Sequence, residues 1–196
     1  MSDKLKGLSN EELWKLFPIV LKPHNPQYRQ WYLDEKKHLI DLIGKDSIVR
    51  INHIGSTSVH GLIAKPTIDI LIEVDCEEDV TKVKDSLDGD IYICKEQKDA
   101  FNHKSLICMK GYSEQGFLDK VFHIHVKVYN NHNELYFRDY LQDHPDIALA
   151  YGELKISLLK KYQFHRDHYT ESKSDFINRY TEFAKMIYPN RYKPKN

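Results

Sequence analysis

Cysteine is scarce in this chain of 196 residues: Cys76, Cys94 and Cys108 are the three, with no Cys-x-x-Cys pair among them. An odd, scattered set offers neither zinc-ligand spacing nor a disulfide framework, so reduced thiols in a cytoplasmic protein are expected. Long apolar runs are missing as well. The apolar stretches are a few residues each, far short of the roughly 20 that span a bilayer. The opening MSDKLKGLSNEELW has no apolar run and no small-residue cleavage site, so no signal peptide is read. Charge of one sign is also absent: 29 Lys and Arg balance 29 Asp and Glu. That removes the global basic field that drives non-specific nucleic-acid binding, although a local patch can hide inside a neutral total. Three familiar chemistries lack their motifs. There is no Gly-x-x-x-x-Gly-Lys-Ser/Thr phosphate loop, no His-Glu-x-x-His zinc helix and no Gly-x-Ser-x-Gly elbow.

What is present is a globular composition, 41% hydrophobic and 12% aromatic, with 11 histidines. The length suits one domain, 1–196. Ser9-Asn10-Glu11-Glu12 is a capping box opening a short helix to Phe17. Pro18, Pro23 and Pro26 punctuate a connector. A helix then runs from about Gln27 to Leu42, with Trp31, Leu39 and Ile43 inward. Strands are expected at Ser47–Ile54, Thr67–Val74, Ile91–Lys95, Lys104–Lys110 and Lys120–Tyr129, with a helix at Glu77–Leu87. From about Glu134 the chain turns helical: 134–144, 146–163 with Leu149, Leu154, Leu158 and Leu159 inward, and 169–187 with Phe176, Tyr180, Phe183, Ala184 and Ile187 at helical spacing. The histidine-rich stretch Phe164–His168 reads as a solvated interhelical connection. The fold class is α/β (α+β): a mixed sheet with helices and a helical C-terminal part.

The segment His53–Ile70 carries the most chemistry. It is a strand, a Gly55-Ser56-Thr57-Ser58 turn, a linker through Lys65-Pro66, and a second strand with Asp69 inside it. Glycine lets backbone approach a ligand closely. Consecutive amides and hydroxyls in such a turn form a concave anion site. An aspartate on the next strand can hold a metal bound to the same phosphates.

The run GSTSVHGLIAKPTIDI (55–70) is similar to the signature of the GrpB family, with His60 where proline is usual. Two later segments resemble it too: His123-Ile124-His125-Val126, and Phe137 to Pro145 with Tyr151 and Leu154-Lys155. The resemblance spans roughly residues 20–187. It implies a nucleotidyltransferase-superfamily fold, a mixed sheet with helices on one face, in which the Gly-Ser turn precedes a strand bearing metal-binding acids. GrpB-like domains also occur fused to dephospho-coenzyme A kinases, which points to nucleotide or coenzyme-A metabolism.

An active nucleotidyltransferase carries two acids one residue apart, about 6.7 Å along the strand, and a third on a neighbouring strand. Here Asp69 holds the first position and Leu71 the second. Glu73 shares the face but lies about 13 Å away along the strand, too far to share an ion. The neighbouring strand that the resemblance places here offers His123 and His125, which share one face. Two imidazoles and a carboxylate suit Zn²⁺, Mn²⁺ or Fe²⁺ better than Mg²⁺. We therefore expect a divalent metal as the candidate cofactor, with Asp69, His123 and His125 as catalytic and metal residues. Gly55, Ser56, Thr57, Ser58, Lys65, Arg138 and Lys155 are the candidate phosphate contacts. The ligand class is a nucleotide or other phosphate-bearing small molecule.

Each assignment has a structural alternative. His123 and His125 can be an ordinary partly buried pair, and Asp69 can simply hydrogen-bond the loop. Ser56 and Thr57 can serve the turn alone, and Lys65 can be a solvated charge. Arg138, Lys155 and Lys173 have Asp139, Glu153 and Asp175 nearby in sequence for surface pairs. Tyr140, Tyr151 and Tyr169 fit packing as well as base stacking. A non-catalytic ligand-binding or regulatory module on the same fold is the competing function, and Leu71 favours it.

Overall fold

The computed structural model describes residues 8–194. The capping box forms: the Ser9 hydroxyl accepts from Glu12 N and the Glu12 carboxylate accepts from Ser9 N, opening α1, Asn10–Leu16. An extended connector leads to α2, Tyr28–Ile43. Strand β1, Arg50–Ile54, and β2, Thr67–Val74, follow, then α3, Glu77–Leu87. Strands β3 (Ile93–Lys98), β4 (Lys104–Ser113) and β5 (Gly116–Val128) complete the sheet. The C-terminal part is α4 (Asn133–Asp143), α5 (Pro145–Tyr162), α6 (Arg166–Glu171) and α7 (Ser174–Ile187).

The five strands order as β1-β2-β5-β4-β3, with β2 and β5 parallel and the other neighbours antiparallel. Strand β2 is flanked on both edges, which suits its dense β-branched run. Ile68, Ile70, Ile72 and Val74 point to one face and pack with Leu39 of α2 and Val80 and Val83 of α3 in the main core. The opposite face carries Asp69, Leu71 and Glu73. There Leu71 packs with Ile54 and Leu135 of α4, so the C-terminal helices cover part of this face and leave the Asp69 end recessed beneath them. No helix among the described residues is long and apolar enough to cross a membrane.

The structure corrects four expectations of detail. Cys94 and Cys108 are not separate thiols. They oppose each other across β3 and β4 and are joined as a disulfide, leaving Cys76 free. Their 14-residue separation hides a cross-strand register that only pairing creates. The last helix is divided at Ser172-Lys173 into α6 and α7, and α6 begins at Arg166 inside the stretch read as a connection. Strand β5 begins at Gly116 rather than Lys120, because the β4–β5 hairpin extends past a register shift at Gly111. Finally, α5 does not turn Leu149 inward: that residue is 66% exposed. The buried stripe is Ala148, Tyr151, Gly152 and Lys155, spaced as one helical face, with a lysine at its end.

Candidate functional site

The Gly-Ser turn is a single helical turn, Ser56–Ser58, standing directly over Asp69. Gly55 has φ +69° and ψ −176°, a conformation essentially reserved for glycine. A Cβ there would overlap Asp69 Oδ2 and stand 3.0 Å from its Cγ and 3.1 Å from its Cβ. The loop backbone therefore lies against the carboxylate because residue 55 has no side chain. Two loop hydroxyls serve the turn itself. Thr57 Oγ1 donates to the Thr67 carbonyl at 3.0 Å and accepts from His53 Nε2 at 3.0 Å, and Ser58 Oγ donates to the Gly55 carbonyl at 2.6 Å. Ser56 Oγ faces the other way, toward Lys155 Nζ at 3.1 Å.

Parallel pairing sets Asp69 opposite His123 and Leu71 opposite His125. The structure thereby brings the three expected side chains together. His123 Nδ1 lies 3.5 Å and His125 Nε2 3.7 Å from the same oxygen, Asp69 Oδ1. Burial would raise the Asp69 carboxyl, but the two imidazoles outweigh it and hold the group well below the usual carboxylate range. His123 is pushed down by burial, against the pull of Asp69. Its second nitrogen, Nε2, accepts from the Tyr112 hydroxyl at 2.6 Å, so both ring nitrogens are engaged. The donor types suit a borderline metal ion, yet no group of three His, Cys, Asp or Glu among the described residues is arranged to hold one.

What surrounds the carboxylate is positive. Lys155, on the buried stripe of α5, donates to Ser56 Oγ and to the Ile63 carbonyl, with its ammonium 4.7 Å from the Tyr151 ring centroid. Burial, then Lys173 and Lys65, push its pKa down to about 7. Lys65 falls to about 8 through burial, Arg166 and Lys173. Lys173, at the break between α6 and α7, falls to about 8 by burial, with Asp69 opposing and Arg166 adding to the fall. The three lysines and Arg166 thus share one region with Asp69: burial depresses all three lysines, Lys173 and Lys65 lower Lys155 further, and Asp69 opposes the fall of Lys65 and Lys173.

The geometry can be set beside known proteins. A family profile described as GrpB protein matches residues 18–182. The chain belongs to the GrpB family. UPF0157 protein YqkA of Bacillus subtilis (strain 168) is 33% identical over 155 residues, 78% of this chain and 43% of that protein. The chain therefore spans less than half the length of this relative. Glutamate-rich protein GrpB of Alkalihalophilus pseudofirmus is 27% identical over 169 residues, 82% of this chain and 92% of that one. Among solved structures, the crystal structure of conserved protein GrpB from Enterococcus faecalis superposes with TM-score 0.73 and 26% identity over 86% of this chain and 99% of that one.

Within this GrpB fold the sequence candidates fall into two groups. Gly55, Ser56, Lys65, Asp69, His123, His125 and Lys155 gather at the recess. Arg138 is engaged elsewhere: it pairs with Asp139 at 2.7 Å, donates to the His53 carbonyl at 3.0 Å and to the Tyr192 hydroxyl at 2.9 Å, tying α4 to the β1 edge and the C-terminal segment. It also lines a cavity of about 1070 Å³ beyond the β1 edge that includes none of Asp69, His123, His125, Lys65 or Lys155. Tyr140 stacks on His144 and Tyr151 on Phe176, so both pack. Sequence reasoning missed Arg166 and Tyr112. Arg166 sits in a histidine-rich stretch that imitates a solvated loop, and its cue was the buried Tyr169 one turn later. Tyr112 gave no cue, since its place depends on the irregular register beside Gly111.

Proposed function

We propose that the recess at Asp69 binds a phosphate-bearing small molecule, with nucleotides the class that the family resemblance favours. One observation carries this: Lys155 Nζ lies 3.1 Å from Ser56 Oγ of the loop against Asp69, Lys65 and Arg166 line one cavity beside it, and Lys65 and Lys173 both act electrostatically with Asp69. Like charges held together where solvent is scarce are costly, and an anion would relieve them; Lys155 is buried and the other three are half-buried. The Ser56 hydroxyl and the loop held by Thr57 and Ser58 supply neutral groups for the same phosphate. The Tyr169 hydroxyl, buried and without a hydrogen-bond partner among the described residues, supplies another beside Lys173, whose ammonium is 4.5 Å from the Tyr169 ring centroid.

Between catalysis and plain binding, the acids favour binding. Leu71, where a second metal-binding acid would stand, is fully buried in an apolar cluster. Glu73 is fully buried and taken by Arg50. A nucleotidyl transfer here would run with one carboxylate, and acid–base work would fall to His125, since His123 has both ring nitrogens engaged.

The test is a titration of the purified chain with inorganic tripolyphosphate, nucleoside triphosphates and coenzyme-A precursors, each alone and with Mg²⁺, Mn²⁺ or Zn²⁺, read by thermal shift and calorimetry. We expect a shift with the polyphosphates that falls about tenfold in affinity in Lys155→Met. A shift that also needs metal and disappears in Asp69→Asn would restore the metal-dependent reading. No response to any polyphosphate, with or without metal, would remove phosphate binding altogether.

A further inference from the structure

A second cavity adjoins the recess, and two cations belong to both. It has a volume of about 350 Å³, within the ~300–1,000 Å³ range of small-molecule sites, and Lys65 and Arg166 line it. Lys65 also feels Asp69 and Lys173, and Arg166 acts on Tyr112 and His123. Tyr112 bounds this cavity and its hydroxyl lies 2.6 Å from His123 Nε2, so the cavity lies against the recess.

The rest of its lining is mixed, with Lys22 and Asp119 among prolines and aliphatic side chains, and one wall of it is aromatic. Phe17 meets Tyr112 edge-on at 4.9 Å between centroids and Phe117 at 5.1 Å, and Tyr112 meets Phe117 at 5.3 Å. Trp31 of α2 closes another side. Its rim is formed by exposed apolar side chains, Val20, Phe117 and Leu118, the last two 40% and 57% exposed. An aromatic wall joined to the half-buried cations Lys65 and Arg166 matches a planar ring carrying a phosphorylated tail. Ring stacking on aromatic side chains tolerates any base, because every base has a π-face. Tyr112 joins the two halves, with its ring in the cavity wall and its hydroxyl on His123.

We propose that this cavity receives the heterocyclic ring of a nucleoside phosphate whose phosphates lie on the Lys65, Lys155 and Arg166 side. The inference rests on the phosphate-binding reading above and adds which part of the ligand goes where. Calorimetry on the full chain tests it, with adenosine, guanosine, cytidine and uridine triphosphates, the four free nucleosides, and inorganic tripolyphosphate as probes. Phe117→Ala and Leu118→Ser are the variants. Both change exposed hairpin positions, and circular dichroism and the melting temperature verify that they fold.

At least one nucleoside triphosphate should bind about tenfold more tightly than tripolyphosphate, and Phe117→Ala should erase most of that advantage while leaving tripolyphosphate affinity unchanged. Equal affinity for tripolyphosphate and all four triphosphates would overturn the ring site, as would an equal loss for both probes in Phe117→Ala. A free nucleoside that binds wild type and is lost in Phe117→Ala, with tripolyphosphate silent, would support the ring site and refute only the phosphate reading. Silence from all probes refutes both.

Discussion

Replacing Gly55 with alanine tests how the candidate site is built, without reference to any ligand. Two costs follow from the structure. The backbone at φ +69°, ψ −176° is a glycine conformation, and holding another residue there costs on the order of 1–3 kcal/mol. The new Cβ would also overlap Asp69 Oδ2 and crowd its Cγ at 3.0 Å. Asp69 would have to rotate away from His123 and His125, losing a charge-assisted contact worth about 1.5 kcal/mol. The sum is about 2.5–4.5 kcal/mol, or a melting temperature about 10 °C lower for a chain this size. Urea denaturation gives the free energy, and an unchanged m-value shows that the unfolded state is not responsible. The second cost depends on the Asp69 side chain while the first does not, so a double-mutant cycle separates them. In an Asp69→Ala background, Gly55→Ala should cost about 1–2 kcal/mol less than in wild type. An equal cost in both backgrounds, or a wild-type cost under about 0.5 kcal/mol, would refute the account of the loop resting on the carboxylate.

Three other outcomes follow from the same contacts. Tripolyphosphate affinity should fall as pH rises from about 7 to 9, because Lys155 near 7 and Lys65 and Lys173 near 8 lose their protons in that window. Binding there should take up protons, seen as a calorimetric heat that depends on the buffer's ionisation enthalpy. The ligand-free chain has the opposite sign from these groups. Their folded pKa values lie below the ordinary lysine value, so the unfolded chain binds more protons and their share of stability rises with pH from about 7 toward 10. Arg50→Ala should cost about 3–5 kcal/mol in urea denaturation, since it leaves Glu73 fully buried with the His132 ring at 3.7 Å and the Asn130 amide at 3.5 Å in place of the guanidinium. Tyr112→Phe should cost about 1–3 kcal/mol by the same assay, because the buried His123 Nε2 loses the hydroxyl at 2.6 Å.

The local features of this protein were written in the order of its residues. The Ser9–Glu12 capping box, the β-branched run of β2 and the Gly55-to-Asp69 motif each depend on neighbours within a few positions, and a linear pattern records such neighbours directly. Strand period alone placed His123 and His125 on one face and Glu73 out of reach of Asp69. It also marked Leu71 as the missing acid.

Tertiary structure decided what depends on pairing and on the way helices cross the sheet. The parallel register of β2 on β5 set the histidines against Asp69. The register of β3 on β4 joined Cys94 to Cys108. Leucine spacing in α5 pointed at Leu149, yet the face that meets the loop is Ala148, Tyr151, Gly152 and Lys155. Apolar periodicity cannot mark a buried cation, because it scores lysine as a surface residue. Arg166 and Lys173 reach the recess only because the chain breaks between α6 and α7, and Arg138 was drawn away by Asp139 and Tyr192. Charges distant in sequence become one field only when folding sets them a few ångströms apart in a poorly solvated space. The fold class and the lone carboxylate were therefore legible in the residues, and the positive recess around it belongs to the folded chain alone.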